Sequence, residues 1–106
     1  MPTMDFKPST DDPRVSLQGM RVLEAFMLDV YKEIAGADVA RFSRLPSGTL
    51  YPILLRFESA GWLSSRWEEI DPKHAGRPRR RLYRLTPTGA VRAQTIFSEF
   101  HGLVPV

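Results

Sequence analysis

At Gly61 the spacing of the apolar residues changes. Before it, Leu50, Ile53, Leu54 and Phe57 recur at steps of three and four, the period of a helix with one buried face. After it, Leu63, Ser65 and Trp67 alternate with Ser64, Arg66 and Glu68, the period of a strand. A glycine at that junction suits the left-handed residue that ends a helix.

The neighbouring segments follow from that junction. The helix is expected over about 47–60, opened by Pro46 or Ser47, with interior Pro52 either delaying its start or kinking its first turn. Leu45-Pro46 forms a tight connection to a short helix over 37–43, which places Val39 and Phe42 on one side, and Gly36 breaks the chain before it. Further back, Ser16 caps a helix to about Leu28, whose apolar residues are Leu17, Met20, Val22, Leu23, Phe26 and Met27. Residues 1–15, with Pro2, Pro8 and Pro13 among Asp, Ser and Thr, read as a flexible arm.

On the other side of the junction, Asp71, Pro72, Gly76 and Pro78 mark a loop. Arg81, Tyr83 and Leu85 then alternate with Arg80, Leu82 and Arg84, a strand that pairs back on the first and closes a hairpin over about 63–85. Thr86-Pro87 starts a last helix, about 86–101, with a stripe of Ala90, Ala93, Ile96, Phe97 and Phe100. The expected fold is mostly α with a small β-hairpin, an α+β winged helix-turn-helix over 16–106 with a C-terminal helix for dimerisation.

The charge distribution points to a partner. The chain has 15 basic and 12 acidic side chains. Residues 73–84 hold six of the basic ones, Lys73, Arg77, Arg79, Arg80, Arg81 and Arg84, and no acid. The positive surplus thus lies on the hairpin. A short charge run is as often plain solvated surface, but a hairpin used only for protein association has no need of six unbalanced cations. Arg77, Arg79 and Arg80 at the tip are expected to reach DNA phosphates or an adjacent minor groove, where arginine's planar fork pairs bidentately. The helix over 47–60 would enter the major groove with the hydroxyls of Ser47, Thr49 and Tyr51 near phosphates or base edges, while Arg56 reaches the backbone. Two alternatives stand beside these readings. The Tyr51 ring packs beside Pro52, and Arg81 and Arg84 are solvated or pair with Glu68 and Glu69.

Four segments also resemble a known family. Ser47-Gly48-Thr49-Leu50-Tyr51-Pro52, Glu58-x-x-Gly61-Trp62-Leu63, Gly76-Arg77-Pro78-Arg79-Arg80 and Tyr83-x-Leu85-Thr86-x-x-Gly89, in this order, resemble the PadR-like transcriptional regulators over roughly residues 16–90. The resemblance implies a dimeric winged-helix repressor that binds double-stranded DNA, and in some members a small aromatic effector. Two features depart from the family pattern. Arg44 sits in the turn where a small residue such as glycine is usual, and the C-terminal region is short beside the long helical dimerisation domain of larger members.

A homodimer is expected on physical grounds too. Leu17, Met20 and Met27 of the first helix and Ile96, Phe97 and Phe100 of the last offer more apolar surface than one small core requires, and such a surplus marks an association surface.

Other classes lack support. No apolar run approaches the roughly 20 residues of a membrane span, no charged-then-apolar leader opens the chain, and zero cysteines exclude a disulfide framework or thiolate metal site. The cytoplasm is the expected compartment, with no membrane partner. His74 and His101 lie far apart with no carboxylate at ligand spacing, so neither metal nor other cofactor is expected. No phosphate loop and no serine–histidine pairing occurs, and no catalytic residue is assigned. Trp62 and Trp67 either line an aromatic pocket or cover the edge of the core. A winged-helix domain serving only protein association is the alternative function.

Overall fold

The computed structural model describes residues 14–103. Within them the chain runs α1 (Leu17–Met27), β1 (Ile34–Ala35), α2 (Gly36–Ser43), α3 (Ser47–Ser59), β2 (Leu63–Trp67), α4 (Pro72–Ala75), β3 (Arg81–Leu85) and α5 (Pro87–Leu103). Most of the expected N-terminal arm, residues 1–13, lies outside the described residues. Val15, at its end, packs against the core.

The helices begin and end where their side chains provide for it. Ser16 caps α1, its Oγ accepting the Gly19 N–H at 3.1 Å. Val22, Leu23 and Phe26 of α1 are buried against Val39 of α2 and Leu50, Ile53, Leu54 and Phe57 of α3. Each large apolar side chain withdrawn from water in this way contributes about 1.5–3 kcal/mol. Between α2 and α3, Arg44 adopts φ 56°, ψ 40°, the left-handed conformation that glycine takes without cost. This turn makes α2 and α3 a helix-turn-helix. Phe42, expected beside Val39 on the apolar side, is 45% exposed instead, because α2 is only two turns long and buries one row.

Pro52 lies inside α3 without delaying its start: the helix opens at Ser47, where Thr49 and Leu50 donate to the Pro46 carbonyl at 3.0 and 2.9 Å. Its far end is closed by Gly61 at φ 79°. The Gly61 N–H bonds to the Glu58 carbonyl and the Trp62 N–H to the Phe57 carbonyl, while the Phe57 and Trp62 rings stack at 5.2 Å. This is a glycine-terminated cap with its hydrophobic contact, and it aims the chain directly into β2.

The sheet differs from the expected two-stranded hairpin. It has three antiparallel strands in the order β1-β3-β2, because Ile34 and Ala35 pair with Tyr83 and Leu82. Gly36 does not break the chain before α2 but is its first residue. Two residues are too few to show a period, so β1 left no mark in the sequence. In the hairpin itself Leu63 opposes Leu85, Ser65 opposes Tyr83 and Trp67 opposes Arg81. Leu63, Tyr83 and Leu85 are buried. The same face continues past the core as Ser65, Trp67 and Arg81, the root of the wing. The loop beyond it contains a turn of helix, α4, capped by Asp71.

Helix α5 returns the chain to the core. Thr86 caps it, accepting the Gly89 N–H at 2.9 Å. Ala93 is fully buried, and Ala90, Ile96 and Phe97 are partly buried against the core cluster. Phe100 stays 37% exposed.

Candidate nucleic-acid interface

The outer surface of the helix-turn-helix is made by α3. Ser47, Tyr51 and Arg56 are exposed and Thr49 is half-buried. They do not share one side. At about 100° per residue, Tyr51 and Arg56 leave the helix roughly 140° apart. Arg56 borders a small cleft with Arg14, Ser16 and Gly19 at the start of α1. Tyr51 instead lies over the start of α2, its hydroxyl 2.9 Å from where a Cβ on Gly36 would be. A glycine at position 36 leaves the room that ring occupies. Leu55 is an apolar group left 64% exposed on the outer surface of α3. Its position in the sequence, off the face formed by Leu50, Ile53, Leu54 and Phe57, already sets it outside the core, but the leucine was given no role there.

The wing arginines have distinct environments. Glu68, just beyond β2, gathers three donors from the returning chain. Arg77 forks onto its carboxylate at 2.6 and 3.1 Å, and the Arg80 main-chain N–H donates at 2.8 Å. The Arg77 guanidinium, with help from the Arg80 N–H, holds the Glu68 carboxyl down at about 2. Arg77 is therefore raised in turn and is committed to the wing's own structure. Arg79 spends only Nε, on the Ile70 carbonyl at 3.0 Å. The Arg80 side chain is exposed and makes no hydrogen bond or salt bridge among the described residues.

Arg81 pairs with neither Glu68 nor Glu69. Its Nε donates to the Ser65 Oγ at 3.1 Å, and its guanidinium stands 5.2 Å from the centre of the Trp67 ring. The Ser65 hydroxyl donates to Glu58 of α3, so a polar chain links α3 to the wing. Arg84 is exposed on the opposite face of β3. Elsewhere Arg66 forks onto Glu33 at 2.7 and 2.8 Å, binding β2 to the approach to β1 and lowering the Glu33 pKa.

These placements enclose a cleft of about 530 Å³ between α3, the start of α2 and the wing, lined by Gly36, Tyr51, Trp67, Tyr83 and the arginines 79, 80 and 81. No acid lines it. Trp62 is buried under α5, whereas Trp67 is 58% exposed at the cleft.

The residues thought to join two copies are divided by the fold. Leu17 is 68% exposed, whereas Met20, Met27, Ile96 and Phe97 are partly buried. Leu28 and Val91, at 70% and 58%, are further exposed apolar groups on α1's end and α5.

His74 does have an acidic neighbour, Asp71, at 3.7 Å across the turn of α4, so the carboxylate that the sequence reading missed is there. Both are exposed, and no group of three or more His, Cys, Asp or Glu residues stands close enough to hold a metal among the described residues. No helix among them is long and apolar enough to cross a membrane.

Residues 24–95 match the family described as Transcriptional regulator PadR-like. Among solved structures, smu.1704 from Streptococcus mutans is 28% identical, with a TM-score of 0.66 over 84% of this chain and 82% of that one. A PadR-like transcription factor from Bacteroides fragilis is also 28% identical, with a TM-score of 0.60 over 81% and 84%. Reduced AbfR bound to DNA shares the fold at 21% identity and a TM-score of 0.69; the match covers 86% of this chain and 60% of AbfR. No curated protein matches the chain significantly.

Proposed function

Because the chain belongs to the PadR-like family of transcriptional regulators, we propose that it binds double-stranded DNA sequence-specifically, as a homodimeric repressor that occupies its site. The observation that carries this reading is the position of the basic, acid-free cleft. It lies beside the exposed flank of α3, so one DNA duplex can meet helix and wing together. Helix α3 enters the major groove, where Ser47 and Thr49 at its start meet base edges or phosphates and Leu55 meets a thymine methyl. Arg56 contacts the backbone on one flank, and Tyr51, Arg79 and Arg80 contact it on the other. The wing supplies affinity that does not depend on sequence, through release of the counterions condensed on DNA. Arg77 acts at one remove, by shaping the wing through Glu68. That AbfR, which shares the fold, is solved bound to DNA supports DNA binding.

A two-fold dimer would offer two α3 helices to successive major grooves, about 34–36 Å apart. A small aromatic effector that loosens the complex would fit this scheme as a ligand of the dimer.

The test is direct. Titrating labelled duplex DNA, and the same strands unpaired, at rising salt should give duplex binding that weakens steeply with salt. Binding of neither, or binding insensitive to salt, would contradict the reading.

A further inference from the structure

We propose that Arg81, held over Trp67 and backed by Arg80 and the Tyr51 hydroxyl, seats one phosphate of the DNA backbone in the cleft between α3 and the wing. The proposal rests on the DNA-binding reading above and assigns it a contact on the root of the wing rather than at its tip.

Three observations converge on Arg81. First, strand alternation places it on the inner face of β3 with Tyr83, opposite Trp67 of β2, so it lines the cleft rather than the outer surface. Second, it is already oriented. Nε is fixed by Ser65, Ser65 is fixed by Glu58 of the recognition helix, and the guanidinium carbon stands over the indole, 5.2 Å from the ring centre. An arginine fixed by its Nε and one face keeps its two terminal nitrogens for a ligand, and a phosphate takes such a pair bidentately. Because the side chain is already ordered, binding costs less rotamer entropy than seating a free arginine. Third, no carboxylate forms an ion pair with Arg81 among the described residues: Glu58 reaches it only through the Ser65 hydroxyl, and Glu68 is taken by Arg77 and the Arg80 N–H.

The other groups of the cleft suit the same ligand. Among the described residues, neither the Arg80 guanidinium nor the Tyr51 hydroxyl, which stands over Gly36, makes a hydrogen bond. A phosphate in this position would be held by donors from α3 and from the wing at once. The Glu58–Ser65–Arg81 chain would then fix the distance between the groove-reading helix and the backbone it straddles.

The experiment uses the full chain and a labelled mixed-sequence duplex, so that no operator is needed. Affinity is measured across a salt series for wild type, Arg81→Ala, Arg81→Lys and Arg84→Ala, with thermal melts of each. Arg84→Ala removes the same charge from the same strand but from the opposite face. Arg81→Ala is expected to weaken binding at least about tenfold and to reduce the slope of log affinity against log salt by about one. Arg84→Ala should leave the slope near wild type. Arg81→Lys, which keeps the charge and loses the fork, should retain most of the slope but not the affinity. Equal effects of Arg81→Ala and Arg84→Ala would overturn the seat. So would an Arg81→Ala variant that melts lower yet binds with wild-type slope, for then the arginine only covers Trp67. Failure of the wild type to bind any duplex would instead defeat the DNA reading itself.

Discussion

An ideal Cβ on Gly89 would stand 1.9 Å from the main-chain carbonyl oxygen of Trp62. The same carbonyl accepts the Thr86 N–H at 3.0 Å, and the Thr86 hydroxyl donates to the Gly61 carbonyl at 2.6 Å. The first turn of α5 is thus locked onto the residues that end α3 and begin β2. Gly89→Ala must push two backbones apart, so it should destabilise the fold by about 3 kcal/mol, at the upper end of overpacking costs. Gly48→Ala, with nothing within 4 Å of the added carbon, should be neutral or stabilising by up to about 1 kcal/mol. Denaturant melts of the two variants check this. Equal stability would contradict the close approach at Gly89.

The Glu68–Arg77 pair predicts a pH dependence. Binding to Arg77 holds the Glu68 carboxyl at about 2, below its ordinary 4.5. A carboxyl depressed on folding adds stability that is present above 4.5 and is lost as pH falls towards 2. Glu68→Gln should therefore be less stable than wild type at neutral pH, with the difference closing as pH falls through that window. Denaturant titrations at stepped pH measure it, and a difference independent of pH would contradict the pairing.

Arg44 carries the left-handed turn between α2 and α3 at φ 56°. Glycine adopts that conformation without the steric cost of a Cβ, although it loses more entropy on folding. Arg44→Gly should raise stability by about 0.5–1 kcal/mol. A lower melting temperature would mean that the Arg44 side chain stabilises the turn in some further way.

The sequence reading succeeded where a local rule decides. The change of period at Gly61, the cap at Ser16 and the Thr86-Pro87 start each depend on a few adjacent residues, and all three lie where expected. The third strand was not visible, since Ile34-Ala35 becomes a strand only by pairing with β3. The wing's internal chemistry was hidden for the same reason. Arg77 and Arg81 look alike in a run of arginines, and only the tertiary positions of Glu68, Ser65 and Trp67 distinguish them. Strand alternation did carry one usable signal, because it sets Arg81 and Trp67 on the same face as buried Tyr83.

The proposed homodimer is best tested at exposed positions. Ile96 and Phe97 pack on the protein's own core, so changing them would damage the fold itself. Leu17 and Phe100 are cleaner probes, and an aspartate at Leu17 also suits the first turn of α1. Sedimentation should give about twice the 12.1 kDa chain mass for the wild type, and the monomer for Leu17→Asp with Phe100→Asp. A wild-type monomer at tens of micromolar that binds duplex DNA at full strength would refute the dimer.

Selection of bound duplexes from a random pool tests the central claim, sequence-specific recognition through α3. The wild type should enrich one motif built from two inverted half-sites a helical turn apart, about 10 base pairs centre to centre. Thr49→Ala should enrich the same motif with preference relaxed at one or two positions in each half, since a good base contact supplies about 1–3 kcal/mol of discrimination. A pool that stays random after repeated rounds, or a motif untouched by changes along α3, would contradict it.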